Sequence, residues 1–98
     1  MIDRFLFHAV DRPGTAALRQ RLREAHRVSI RRSDPECRCI LGGPLLDAAG
    51  TMTGTALVFA AVDAAAVHAF MASDPYLLHG LFERIDVRPW AIGLGAIA

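Results

Sequence analysis

The chain has 98 residues, more than half of them apolar, which is enough for one domain with a single hydrophobic core. Its 11 basic residues, all of them arginine, nearly balance 10 acidic ones, so the net charge of +1 provides no basic excess for binding nucleic acid or an anionic membrane. Because lysine is absent, Schiff-base chemistry through an ε-amine is excluded.

A strand and a helix are predicted first along the chain. Residues 2–10 are rich in β-branched and aromatic side chains, which favours a strand. The spacing of residues 15–32 predicts a helix with most of its arginines outside the apolar face. That face is predicted to contain Leu18, Leu22, Ala25 and either Val28 or Ser29. Pro35 lies just beyond, and proline disfavours a helical residue before it.

Two strands, a second helix and a last strand follow. In order, the pattern predicts a second strand (residues 36–41), a tight turn (42–44), a strongly apolar third strand (53–62), a helix (64–72), a short turn (76–80) and a fourth strand (81–90). Asp63 is typical of the N-cap of the second helix. The order β-α-β-β-α-β is that of the ferredoxin-like α+β fold.

This fold places both helices on one face of a four-stranded antiparallel sheet. The other face needs a cover, and in so apolar a chain a second copy of the chain would provide it. We therefore expect one domain over residues 1–98 that pairs into a homodimer.

Several features predict a cytoplasmic protein. Cys37 and Cys39 are two residues apart on a predicted strand, where they point to one face and do not form an ordinary disulfide. No further thiolates or histidines follow at the spacing of a zinc site. The N-terminal strand carries charges where a signal peptide needs an apolar stretch, and the apolar runs are shorter than the roughly 20 residues that span a bilayer.

Two residues are the leading candidates for chemistry. His26 lies one helical turn beyond Leu22, at the border of the predicted apolar face. An imidazole there could exchange a proton near neutral pH, or could simply be packed. Asp74 precedes Pro75, a pair typical of the start of a helix. A carboxylate held by that capping role could also orient an imidazole from another element.

Four further residues are candidates for contacting a substrate. Arg23, one turn before His26, could hold an anionic group, although an arginine on an exposed helix face is common. Gly43 and Pro44 belong to the predicted turn, where the backbone could approach a ligand. Tyr76 is either a core or interface aromatic residue or part of a pocket wall. The other histidines lack metal-ligand spacing, so we expect no metal.

Together these pieces resemble the YCII-related (YciI-like) family over nearly the whole chain, through their order and spacing. The pieces that carry the resemblance are residues 9–14, 18–19, 22–23 and 26, residues 43–47, residues 50 and 53–55, residues 74–76, residues 80–82 and residues 87–90. The chain departs from the family pattern at Arg27 and over residues 36–39, which leaves the shape of the pocket and the substrate open.

The resemblance implies a ferredoxin-like fold whose dimers resemble α/β barrels. It also implies a site built on His26 and Asp74, with Arg23 matching the family's arginine, and chemistry of the lyase, dehydrochlorinase or isomerase kind. Two hypotheses follow. In the first, the protein is a cofactor-free enzyme in which His26 moves a proton on a small organic substrate and Asp74 holds the ring. In the alternative, it is a non-catalytic small-molecule-binding or accessory dimeric module.

Overall fold

A computed structural model describes residues 2–95. Four strands form one antiparallel sheet in the order β2-β3-β1-β4: β1 (Asp3–Asp11), β2 (Cys37–Leu46), β3 (Met52–Ala61) and β4 (Phe82–Pro89). Within these residues there are three helices: α1 (Ala16–Ile30), α2 (Ala64–Met71) and α3 (Pro75–Leu78). The predicted ferredoxin-like α+β fold is confirmed, and the short turn predicted after Pro75 is the helix α3. None of these helices has the length and apolarity needed to cross a bilayer.

Alternation along the central strands decides which face of the sheet carries the core. In β1, Phe5, Phe7 and Ala9 are buried, whereas the residues between them are only half-buried. Phe59 of β3 packs edge to face against Phe7, and Phe70 of α2 packs against Phe59 with ring centroids 5.3 Å apart. Helices and inner sheet face therefore share one aromatic core, and the alternate residues of β1 lie on the outer face.

The predicted tight turn at residues 42–44 is wrong, because β2 continues through these residues to Leu46. Gly42 lies opposite Leu57 of β3, and a Cβ atom at this position would collide with the Leu57 side chain. Glycine therefore permits the close approach of the two strands. Pro44 is tolerated because β2 is an edge strand, where a missing backbone N–H need not cost a bond to the neighbouring strand.

The turn between β2 and β3 lies at residues 47–50. The side chain of Asp47 accepts hydrogen bonds from the backbone N–H groups of Ala49 and Thr51, at 2.9 and 3.0 Å. Gly50 has a φ of 84°, a left-handed conformation that favours glycine. These local contacts set the register of the hairpin that brings β2 beside the centre of the sheet.

The predicted apolar face of α1 is wrong in part. Ala25 and either Val28 or Ser29 were expected to face inward. Ala25 is exposed and Val28 is 70% exposed, whereas Ser29 is half-buried. Arg19 and His26 are buried instead, on the same side as Leu22. The inward face of this helix includes polar side chains because each meets a partner from another element, which satisfies its polar groups away from water.

Both predicted helix caps are confirmed. The Asp63 carboxylate accepts a hydrogen bond from the backbone N–H of Ala66 at 2.8 Å, at the start of α2. Asp74 accepts one from the N–H of Tyr76 at 2.9 Å, and Pro75 occupies the first turn of α3. The second cap fixes a carboxylate beneath α1.

The two cysteines are free thiols on β2, as the sequence predicts. Cys37 is buried and lies opposite Ala61, and Cys39 lies opposite Phe59. Burial raises the pKa of Cys37 to about 11 and also raises the pKa of Cys39. Neither side chain therefore supplies a thiolate near neutral pH.

Candidate functional site

The imidazole of His26, on α1, meets the carboxylate of Asp74 at the start of α3. Nδ1 of the ring lies 2.8 Å from Oδ2 of Asp74. His26 is 6% exposed and Asp74 is 0% exposed, so the contact is shielded from water. Because a carboxylate accepts hydrogen bonds, the neutral ring places its proton on Nδ1 and leaves Nε2 as the free acceptor.

Tyr76 fixes the plane of this imidazole. The two rings are stacked, with centroids 4.0 Å apart and planes inclined by 17°. Tyr76 is buried in the core and also lines the cavity described below, so it is both a core residue and part of a pocket wall. Burial raises the pKa of Tyr76, although the nearby guanidinium groups of Arg19 and Arg23 lower it, and its hydroxyl therefore stays protonated near neutral pH.

A second buried polar pair, between Arg19 and Asp11, flanks the first. Nε of Arg19 donates to Oδ2 of Asp11 at 2.7 Å, and Nη2 donates to Oδ1 at 2.8 Å, which makes the pair bidentate. Nη2 also donates to the hydroxyl of Thr55 at 2.8 Å. Burial lowers the pKa of Arg19, but the Asp11 carboxylate raises it, and the net direction is upward.

Sequence reasoning did not select Arg19, Asp11 or Thr55 as site residues. One signal was available, since Arg19 precedes Leu22 by three residues and His26 by seven, the spacing of a single helix face. A charged residue on an inward face requires a partner, and Asp11 stands where β1 ends, just before α1.

These side chains surround a cavity of about 220 Å³ between α1 and the sheet. Its wall includes five of the six predicted site residues: His26, Arg23, Gly43, Pro44 and Tyr76. Asp74 does not reach the cavity and lies behind His26, where it contacts Nδ1. Gly43 and Pro44 contribute from β2 rather than from a turn. The rest of the wall is formed by Arg19, Arg27, Ile30, Arg31, Gly42, Thr55 and Leu57.

The cavity wall suits proton transfer on a small molecule. His26 presents a ring nitrogen whose opposite nitrogen is held by a carboxylate, an arrangement that fixes the tautomer and stabilises the imidazolium. The volume is below the roughly 300–1,000 Å³ of pockets that bind drug-sized ligands, which limits the ligand to a small molecule. Among the residues that the structure describes, no group of three or more His, Cys, Asp or Glu side chains could hold a metal ion.

Comparison with known proteins identifies similar sequences and folds. A sequence model of the YCII-related domain matches residues 4–91. The structure is similar to that of 5-chloro-2-hydroxyhydroquinone dehydrochlorinase (TftG) from Burkholderia phenoliruptrix AC1100 in complex with 2,5-dihydroxybenzoquinone. The TM-score is 0.81 and the sequence identity is 32%, over 92% of this chain and 95% of that chain.

Two more distant structures share the fold alone. PA3566 from Pseudomonas aeruginosa has a TM-score of 0.53 and 17% identity, over 91% of each chain. Rv0793 from Mycobacterium tuberculosis has a TM-score of 0.53 and 20% identity, over 98% of this chain and 99% of that chain. Among curated protein sequences no significant match was found.

Proposed function

The chain belongs to the YCII-related family, and from that premise we propose that it is a small cofactor-free enzyme with a His26–Asp74 acid/base pair. Its substrate is a small organic molecule, and its reaction is a dehydrochlorination or a related elimination or isomerisation. The observation that carries the proposal is the 2.8 Å contact between Nδ1 of His26 and Asp74, made while the same imidazole lines a cavity.

The proposed elimination needs no oxidant or reductant. Nε2 of His26 takes a proton from one substrate O–H group and returns it to the ring carbon that bears chlorine, which gives a ketone and a tetrahedral C–Cl carbon. Nε2 then takes the proton of a second O–H group, whose electron pair forms a second carbonyl. The adjacent ring double bond shifts to the chlorine-bearing carbon, and chloride leaves with the electrons of the C–Cl bond. Asp74 stabilises the imidazolium that results. A positioned base of this kind accelerates a reaction by about 10²–10⁴-fold, and in an isomerisation the imidazolium would return the proton to another atom.

Similarity to the Burkholderia enzyme supports the reaction class. Dehydrochlorination of 5-chloro-2-hydroxyhydroquinone is the activity of that protein, which is 32% identical over nearly the whole length of both chains. The small volume of the cavity supports a substrate built on a single ring.

The proposal is tested by chloride release. Purified protein is incubated without oxygen with 5-chloro-2-hydroxyhydroquinone and with other chlorinated hydroquinones and catechols. The His26→Asn variant keeps a donor for Asp74 but removes the base, and we expect it to lower the rate by at least about 10². The matched control is His79→Asn, an exposed histidine at the end of α3, which should change the rate less than twofold.

Two results would contradict the proposal. If the wild-type protein releases chloride from none of these compounds, dehydrochlorination is not its reaction. If His26→Asn is as active as the wild type, His26 is not the base.

We also propose that two copies pair through the outer face of the sheet. Alternation along the strands assigns Leu6 and Val10 of β1, both half-buried, to this face. Leu41 of β2 lies opposite Val58 on the same face and is 57% exposed. These side chains form an apolar patch beside the charged residues Arg84, Asp86 and Arg88 of β4, and the patch supports a homodimer.

A cytoplasmic location belongs to the same proposal. Its support is that Cys37 and Cys39 are both free thiols, the state maintained in a reducing compartment.

A further inference from the structure

Three arginines of α1 and the arginine at its C-cap line the cavity at intervals of four residues. Arg19, Arg23, Arg27 and Arg31 follow one another along the same side of the helix, and all four contribute to the wall. Within residues 2–95, no Asp or Glu side chain is part of that wall. Since helix residues four apart lie on the same side, the cavity carries a row of positive charges beside His26.

The four arginines differ in how far a nearby carboxylate neutralises their positive charge. Arg19 is neutralised by its bidentate, buried contact with Asp11. Arg27 pairs with Glu24 at 3.0 Å, but both side chains are exposed, and exposed pairs are weak. Arg31 donates to the backbone carbonyl of Arg27, a contact with a neutral group that does not offset its positive charge. Arg23 is half-buried and makes no ion pair with a residue in the range 2–95.

We infer that the substrate of this site is a small organic anion, held by Arg23 beside His26 and by Arg27 one turn further along α1. The inference rests on the proposed function for the location of the site and adds the substrate class. A half-buried guanidinium without a carboxylate is suited to bind an anionic oxygen from the ligand, and its planar fork matches carboxylate or enolate oxygens.

The helix also separates the two arginines proposed to bind the ligand. Arg23 and Arg27 are four residues apart, so their Cα atoms are about 6 Å apart along the helix axis. A ligand with two anionic groups at opposite ends of one ring spans a similar length. The site should therefore prefer such a dianion to the corresponding monoanion, and a monoanion to a neutral molecule of the same shape.

Binding of three simple probes tests this preference without turnover. Terephthalate, benzoate and benzamide are titrated into the protein, and binding is followed by NMR chemical shifts. We expect benzoate to bind at least about tenfold more tightly than benzamide, and terephthalate more tightly than benzoate. The inference is overturned if benzamide binds as tightly as benzoate.

Two substitutions separate the roles of the arginines. Arg23→Gln should weaken benzoate binding by about tenfold or more without changing the affinity for benzamide. Arg27→Gln should remove the advantage of terephthalate over benzoate. The matched control is Arg21→Gln, an exposed arginine of the same helix that is not part of the cavity wall, which should change each affinity less than twofold. Equal effects of Arg23→Gln and Arg21→Gln would refute the inference.

The His26→Asn variant distinguishes this inference from the proposed function. It should bind terephthalate within about threefold of the wild type, because the arginines remain. If His26→Asn no longer releases chloride but still binds terephthalate, the result supports both the proposed function and the inference that the substrate is an anion. Chloride release that survives His26→Asn overturns the proposed function alone, and a wild-type protein that binds no probe anion overturns the inference alone.

Discussion

Arg19 and His26 lie about two turns apart on α1, and both contact the ring of Tyr76. The guanidinium carbon of Arg19 is 4.8 Å from the ring centroid, and the imidazole of His26 is stacked at 4.0 Å. Each is also bound by a carboxylate from outside the helix, Asp11 and Asp74 respectively. The ring of Tyr76 therefore connects the two buried polar pairs and holds the imidazole against the cavity.

Removing the Tyr76 hydroxyl should matter much less than removing the ring. The hydroxyl lies 3.5 Å from Nη1 of Arg19, a long contact, so Tyr76→Phe should retain chloride release and change the free energy of unfolding by less than about 1 kcal/mol. Tyr76→Ala should lower that free energy by about 3–5 kcal/mol, since a fully buried ring is lost. Urea unfolding followed by circular dichroism measures both. Equal losses in the two variants would show that the hydroxyl, not the ring, is the main contributor.

Arg19 should be required for stability because its partner is buried. Arg19→Met leaves the Asp11 carboxylate, which is 7% exposed, without its counter-charge, and should cost about 3–5 kcal/mol of unfolding free energy. Adding Asp11→Asn should recover part of that loss. Arg21→Met, at an exposed position on the same helix, should stay within about 0.5 kcal/mol of the wild type. If Arg19→Met and Arg21→Met are equally stable, the buried pair does not stabilise the fold.

Alkaline pH should destabilise the protein through Cys37. Burial, together with the nearby Asp34 and Cys39, raises the pKa of the folded-state thiol from 9.0 to about 11, against the opposing charge of Arg32. Below pH 9 the thiol is protonated in both states. Between about pH 9 and 11 the unfolded chain loses this proton first, so the free energy of unfolding should fall as the pH rises.

Comparison with Cys37→Ala isolates this contribution. The pKa of Tyr76 is also raised by burial, so the wild-type protein should keep some alkaline sensitivity from that residue. Urea unfolding at several pH values between 7.5 and 10.5 should show a smaller decline for Cys37→Ala than for the wild type. Parallel declines would mean that Cys37 does not titrate differently in the two states.

Local patterns in the sequence were sufficient for most of the fold. Alternation identified β1, and the caps at Asp63 and Asp74 depend on atoms within three residues of each side chain. Residues 42–44 were misassigned because glycine and proline are typical of turns. Whether they can also lie in a strand depends on Leu57 across the sheet and on the edge position of β2, neither of which is local.

The residues alone indicated separate candidates for the site, and the family resemblance supported His26 and Asp74 as its centre. Hydrophobic spacing placed Ala25 on the inner side of α1, where it is in fact exposed, whereas the buried side contains Arg19 and His26. Their partners, Asp11 and Asp74, are separated from them by 8 and 48 residues along the chain, so no helical periodicity could reveal the pairing. The resemblance selected His26 and Asp74 but not Arg19 as a site residue.

Charge introduced on the outer sheet face should separate the proposed dimer. Leu41 is exposed opposite Val58, so Leu41→Arg would bury an unpaired charge of each copy at the proposed interface. Leu78→Arg provides the matched control, because Leu78 is 67% exposed on α3, on the helical side of the molecule. Size-exclusion chromatography with light scattering should give twice the monomer mass for the wild type and Leu78→Arg, and the monomer mass for Leu41→Arg. A monomeric wild type would refute the proposed dimer. A Leu41→Arg variant that remains dimeric would place the interface elsewhere, because burying an unpaired arginine on each copy is costly.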